Sequence, residues 1–497
     1  MGFKSSNDLE FGMAVIDVLP SDGKVIDEGP VGCSVDVCCD DFRHLDIELP
    51  PEILRLKDAG YLTRAVAACD RLLEQNPEPS LAACVRAERY RMLETPLHFS
   101  VSRDLAIAMI REEWPEFTEE QFDDLINRKR IDWRFIDGEL FVLDNFLDSL
   151  RVYPREVPGL RPDSTDGIAL RNQMLKEMES QNGLSRLITL KASVSVPGAL
   201  EGETVRAWLP VAAACRQQSH VEVLDMTSEG TVASENVSAR TVSWTSSTEH
   251  SFSVTYRYHI DAAYCDIYGG ALPSHPCMDA PLPEDTSEDR PHIAFTPYLR
   301  QVTERVIDGL EDSLDRARAI YDYLTQHIDY RYQPPYLLLG SIADDCAHSL
   351  RGDCGVMALT FITMCRIAGV PARWQSGLYV APDSVGPHDW PSSSHPRPVG
   401  LTPMFRLVPQ RAEWGRSGVV VTTLAISTRG VWWLTIDSRL SLCLLSMACA
   451  RIPMTTRWAK PRLTDAGAAS ARCFVRSNSS KCSKFHFRTN QQKAVIN

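Results

Sequence analysis

Long apolar runs are missing from this 497-residue chain. No window approaches the roughly 18 consecutive apolar residues that a bilayer-spanning helix needs, so no membrane partner is expected. The start, MGFKSSNDLEF, lacks the apolar stretch of a secretory signal. Met1-Gly2 followed by Ser6 fits the pattern for N-myristoylation, but that pattern is loose. A disulfide framework is also missing: the 15 cysteines are odd in number and follow no repeating spacing. Reduced thiols in a cytoplasmic setting fit better. The formal charge of -13 argues against nucleic acid as the main partner.

Two further absences are local. Residues 391–497 contain no tyrosine and only three acidic residues, Glu413, Asp437 and Asp465, against 16 Lys and Arg. The preceding 390 residues hold 36 basic and 62 acidic residues and all 14 tyrosines. A change of sign this abrupt marks a boundary of some kind.

What is present is an apolar content of 44%, enough for two to four domains with cores of their own. Residues 1–48 are acidic and poorly periodic and read as a weakly ordered lead-in. Residues 49–180 read as a helical domain: Leu54, Leu62, Ala65, Val66 and Ala68, then Leu105, Ile107, Ala108 and Ile110, recur at helical spacing. Thr118 with Gln121 makes a capping box, and Trp133, Phe135, Phe141, Val142 and Phe146 are the expected core. The period changes over residues 186–260, where five short strand-like runs suggest a β-sandwich. Residues 261–296, rich in Pro and Asp, read as a linker. A single amphipathic helix is expected from Gln301 to His327, followed by a strand at Ile328–Tyr332.

The chemistry concentrates in Arg351-Gly352-Asp353-Cys354-Gly355. The first three residues read as a turn, and Cys354 opens an apolar helix of about 15 residues that Gly369 and Pro371 terminate. Trp374 to Val380 reads as the next strand. A cysteine in the first helical turn meets unpaired backbone N–H groups and the positive end of the dipole. Both favour thiolate, the nucleophilic form, and the same N–H groups can hold an oxyanion. The competing reading is a buried structural thiol, as Cys365 in the middle of the same helix illustrates. A base follows 34 residues later in Gly386-Pro387-His388-Asp389-Trp390. Zinc held by Cys346, His348 and Cys354 is a poor alternative, since no CxxC pair or fourth ligand accompanies them.

Gly-Asp-Cys-Gly, an apolar helix, Arg366-Ile367-Ala368-Gly369-Val370-Pro371-Ala372-Arg373 and then His-x-Trp closely resemble the transglutaminase-like core. The resemblance covers residues 297–390 and implies an α+β, papain-like fold with a Cys-His-Asp triad. It makes Cys354 the nucleophile and His388 the general base. Tyr330, Tyr332 and Tyr336 are possible lining residues. No cofactor or metal is implied, and the expected partner is a peptide or protein amide.

The third triad member is missing where the family would have it, on the strand after the histidine. Asp389, adjacent to His388 on one strand, would point to the opposite face. Pro391-Ser392-Ser393-Ser394-His395-Pro396 suits no core strand. Restoring one base after the Trp390 codon, with free choice of third bases, lets residues 391–436 be read as a string beginning AQFFAPPPGWLNADVSLG. That string supplies an aromatic strand, Gly-Trp and an Asp in the expected order. The chain therefore reads as a frameshifted product, with residues 391–497 a non-native or disordered basic tail. Asp437 is the only substitute for the orienting carboxylate within the chain as it stands. Two functions are expected: a thiol protease, amidase or acyl transferase working through a Cys thioester, or a catalytically inactive interaction module of the same fold.

Overall fold

The computed structural model describes residues 15–19, 37, 39–151, 157–161, 176–178, 180–195, 204–214, 218–235, 240–263, 281–381 and 384–393. Asp437 and the rest of the basic tail lie outside them.

The lead-in is more structured than its composition suggests. Val15–Leu19 (β1) pairs antiparallel with Thr204–Pro210, with Val18 opposite Val205. A 3-10 turn at Cys39–His44 buries Phe42. It also sets Asp41, 2% exposed, 2.5 Å from the Arg86 guanidinium. Acidic residues that look solvated in sequence are here partners of a helix arginine.

Six helices follow: Pro51–Asp58 (α1), Leu62–Glu74 (α2), Pro79–His98 (α3), Arg103–Arg111 (α4), Glu119–Asn127 (α5) and Phe146–Arg151 (α6). Their starts follow local chemistry. Glu78 accepts from the N–H groups of Ser80 and Leu81. Thr118 and Gln121 exchange the two hydrogen bonds of a capping box, at 2.8 and 3.2 Å. Phe117, Phe122, Val142 and Phe146 form one core; Ala65, Cys69, Cys84 and Val85 belong to a second.

This region is not purely helical. Val101–Ser102 (β2), Trp133–Ile136 (β3) and Glu139–Val142 (β4) form a small sheet in the order β2-β4-β3. The β3–β4 turn is Asp137-Gly138, both at positive φ (49° and 99°), the conformation that Asp-Gly hairpins favour. Phe135, expected in the core, is 50% exposed on β3.

The strand-rich region forms two antiparallel sheets. Gly183–Ser195 (β5), Thr204–Pro210 (β6), Gln218–Met226 (β7), Thr231–Val232 (β8), Thr241–Ser246 (β9) and Ser251–Ala263 (β10) are arranged as β1-β6-β9-β8 and β5-β10-β7. Alternate residues Phe252, Val254, Tyr256, Tyr258 and Ile260 of β10 are buried. Trp244 of β9 meets Phe252 at 5.5 Å between ring centroids, joining the two sheets.

The catalytic candidates lie in the last unit. The expected single helix is two, Pro297–Val306 (α7) and Ser313–His327 (α8), interrupted where Gly309 takes φ 73° and Asp312 caps the second. Asp329–Tyr330 (β11) pairs in parallel with Arg351–Gly352 (β12), so the expected turn before Cys354 is a short strand. Ile342–Ser349 (α9) precedes it, and Cys354–Ile367 (α10) follows. Every residue of α10 from Gly355 to Arg366 is buried, as an apolar sequence on all faces requires. Gly369, φ 73°, ends it. Ala372–Ala381 (β13) and Ser384–Ser393 (β14) complete an antiparallel pair against α10.

The described end of the expected linker also packs on this unit. Asp285, 2% exposed, accepts from Arg373 at 2.6 and 2.8 Å. Arg366 donates to the carbonyl of Ser287 at 2.8 Å, and Ile293 is fully buried. Pro and Asp here mark a strap that packs on the core.

Candidate active site

Asp353 sets the start of α10. Its extended backbone precedes the helix, and its Oδ1 accepts from the Val356 N–H at 3.0 Å and the Tyr336 hydroxyl at 2.6 Å. That pins Tyr336, which comes from a short 3-10 turn at Tyr336–Leu338, across the first helical turn. The approach is close. A Cβ built on Gly355 would stand 2.1 Å from the Tyr336 hydroxyl and 2.9 Å from Asp389 Oδ2, so only glycine fits.

Cys354 is half-buried at the first position of α10. Its sulfur accepts from the backbone N–H groups of Gly355 and Asp389, and the Tyr330 hydroxyl also bonds to it. The N–H groups favour thiolate, as the sequence implies. They are outweighed: burial, then the Asp389 and Asp353 carboxylates, push the thiol well above its usual range. Asp353 is itself raised to about 6 by burial, against hydrogen bonds that pull it down. Asp389 is pushed well up by burial and by Asp353. The helix terminus alone therefore does not make a thiolate here.

Tyr330 and Tyr336 thus both meet the Cys354–Asp353 turn, and Tyr332 packs edge-on to Tyr330 with centroids 6.2 Å apart. The backbone of His388 lies in β14 opposite Gly377 of β13; its side chain is outside the described ones. Asp389, set aside in sequence because it follows the histidine, brings its carboxylate beside Gly355 and its N–H to the sulfur. No sequence signal could have found it, because its position depends on the β13–β14 register, Ser376 opposite Asp389. Replacing Asp389 by Asn keeps the shape and removes the charge. Alkylation of Cys354 near neutral pH should then accelerate, by about threefold per unit of thiol pKa recovered, because the gain in thiolate is partly offset by its lower nucleophilicity. An unchanged rate would show that this carboxylate does not control the thiol.

The other thiols differ. Cys346 is buried and pushed up to about 12, and Cys365 is buried mid-helix and also well up. His348 stacks on Tyr298 at 3.9 Å and faces Asp344 at 3.6 Å. Among the described residues, no three His, Cys, Asp or Glu side chains are grouped as a metal ion would need.

Residues 300–398 match the sequence model of the Transglutaminase-like superfamily. The chain carries a transglutaminase-like core. Among solved structures it is similar to a candidate cysteine protease from Cytophaga hutchinsonii, at 17% identity and TM-score 0.35, over 52% of this chain and 81% of that one. It is also similar to the periplasmic domain of TgpA from Pseudomonas aeruginosa, at 12% identity and TM-score 0.27, over 49% and 95%. No curated protein matches.

Within the transglutaminase-like core, the two arginines of Arg366-Ile367-Ala368-Gly369-Val370-Pro371-Ala372-Arg373 have clear structural work. Arg366 donates to the Ala372 carbonyl at 3.0 Å and closes the helix-to-strand turn. Arg373 holds Asp285. Together they fix β13, and through it β14, beside the helix that Cys354 opens.

Proposed function

We propose that Cys354 and His388 are the thiol–imidazole pair of a transglutaminase-like enzyme acting on peptide or protein amides through a Cys thioester. The observation that carries this is the place of Cys354: it opens the buried helix α10 and takes a hydrogen bond from β14, the strand bearing His388. In this reading the Cys354 sulfur attacks the amide carbonyl carbon and its proton passes to His388. The imidazolium returns that proton to the leaving amine as the C–N bond breaks. Water or a second amine then attacks the thioester and regenerates the thiol. Hydrolysis and amine transfer use the same residues up to that last step. The proposed setting is the cytoplasm.

A triad of this type needs a carboxylate to hold the histidine tautomer. We propose that the coding frame is shifted after Trp390 and that the restored frame supplies it. Asp437 is the alternative within the chain as it stands. Resequencing decides between them, since an intact frame through codon 391 in independent reads removes the frameshift.

A second reading, an inert interaction module, is favoured by the raised Cys354 thiol and the Asp389 carboxylate beside it. Iodoacetamide near neutral pH separates the two. The enzyme reading expects Cys354 to label faster than Cys346 or Cys365, and the advantage to vanish in His388→Ala. Equal labelling of the three thiols supports the inert module.

A further inference from the structure

Tyr336 reaches the first turn of α10 from a segment whose other residues are held elsewhere. In the 3-10 turn Tyr336–Leu338 the Tyr336 hydroxyl donates to Asp353 at 2.6 Å, and the Leu339 N–H returns to the Tyr336 carbonyl at 3.0 Å. Three residues per turn put Tyr336 and Leu339 on one side, and Leu339 belongs to the core of the last unit. The two residues between them pack elsewhere. Leu337, 1% exposed, is buried with Val37 and Phe42 of the lead-in and Ala87 of α3, and Leu338 packs against the same group. The turn is therefore a bridge, with one side on α10 and the other in the helical region.

One side chain of α3 holds this bridge directly. Arg91 donates from Nη2 to the Leu338 carbonyl at 2.8 Å and from Nη1 to Glu88 at 2.5 Å. Glu88 in turn meets Lys57 of α1 at 2.9 Å. Arg91 and Glu88 are both buried. The guanidinium is thus fixed by a carboxylate that is itself fixed, and its planar fork is aimed at the carbonyl in advance. At the other end there is no slack. The Tyr336 hydroxyl lies 2.1 Å from where a Cβ on Gly355 would stand. A small displacement of the turn must either lift that hydroxyl off Asp353 or press it on the residue after Cys354.

We propose that Arg91 is a positioning residue for Cys354: by holding the Leu338 carbonyl it sets Tyr336 on Asp353 and so fixes the start of α10. The helical region is then part of the site's construction and not an independent binding module. The consequence for catalysis rests on the proposed thiol chemistry, whereas the hold of Arg91 on Tyr336 does not.

The test uses the full chain carrying 3-fluorotyrosine at position 336. Arg91→Met keeps the length of the side chain and removes both donors, while Glu88 keeps Lys57 as its counter-ion. Its 19F line is expected to move toward that of exposed fluorotyrosine, and Arg91→Lys, which returns one donor, should bring it part of the way back. With the natural tyrosine, Arg91→Met and Tyr336→Phe should change the iodoacetamide rate at Cys354 in the same direction and by the same factor. That factor is about threefold for each unit by which the thiol pKa moves. The double variant should show it once, not squared. Arg151→Met breaks a partly buried pair with Glu113 elsewhere in the helical region and should leave both readings unchanged. If Arg91→Met does not fold, Leu337→Ala loosens the same turn from its far side and should move the 19F line likewise. An unmoved line in the folded variant, effects that multiply in the double variant, or an equal response to Arg151→Met would overturn the assignment. Cys354 labelling no faster than Cys346 in the unsubstituted protein would count against the proposed reaction, while a moved 19F line would still establish the hold of Arg91 on Tyr336.

Discussion

Asp285→Ala is expected to cost about 3–5 kcal/mol of stability, the usual result of removing one partner of a buried ion pair. Asp285 is 2% exposed and accepts from both Nε and Nη2 of Arg373. Alanine would leave a buried guanidinium without its carboxylate, beside the helix-to-strand turn that Arg366 closes. Denaturant unfolding of the full chain measures the loss. Arg290→Ala provides the contrast: its 3.4 Å contact with Glu288 is half-exposed, at 51% for the arginine, so its removal should cost little. The double replacement Asp285→Leu with Arg373→Met should recover much of the loss, because the pair is worth more as a constraint than as net energy. Equal costs for Asp285→Ala and Arg290→Ala would mean that the strap is not held as described.

Gly355→Ala is expected to fail for a reason that helix propensity opposes. In an open helix, alanine is better than glycine by about 1 kcal/mol. Here its Cβ would stand 2.1 Å from the Tyr336 hydroxyl and 2.9 Å from Tyr336 Cε2 and Asp389 Oδ2. Either Tyr336 leaves Asp353, losing the 2.6 Å bond that fixes the helix start, or the turn shifts and moves the Cys354 sulfur. Overpacking of this kind costs about 1–3 kcal/mol. The iodoacetamide rate at Cys354 should change with it. Adding Tyr336→Ala should relieve the clash and recover part of the stability, which thermal melts of the three variants would show. A stable Gly355→Ala protein with unchanged labelling would contradict the close packing of Tyr336 over the first turn of α10.

The transglutaminase-like core was legible because its signals are local. An apolar run with Asp at its cap and Gly at its end can only be a buried helix, and α10 spans Cys354–Ile367. The sequence also placed Cys354 at its first turn. What sequence does not show depends on distant partners or on a local signal masked by its surroundings. Asp137-Gly138 between Trp133–Ile136 and Glu139–Val142 is a strong hairpin signature, but it was submerged in surrounding helical periodicity. The acidic lead-in looks solvated until Arg86 meets Asp41. The strap at 281–296 looks like a linker until Arg373 claims Asp285. The break between α7 and α8 at Gly309 is hidden in sequence because the stripe of apolar residues continues in phase across it. The state of the thiol is the part least legible in sequence. The helix terminus is visible in sequence, whereas the nearness of Asp389 is a matter of strand register.

The most direct test of the central claim is to trap the acyl intermediate. The frame-restored chain would be incubated with an activated acyl donor, quenched in acid and digested, and the adduct mapped by mass spectrometry. A hydroxylamine-labile acyl group is expected on Cys354, absent in Cys354→Ala and strongly reduced in His388→Ala. No adduct on Cys354, or acylation shared evenly with Cys346 and Cys365, would contradict it.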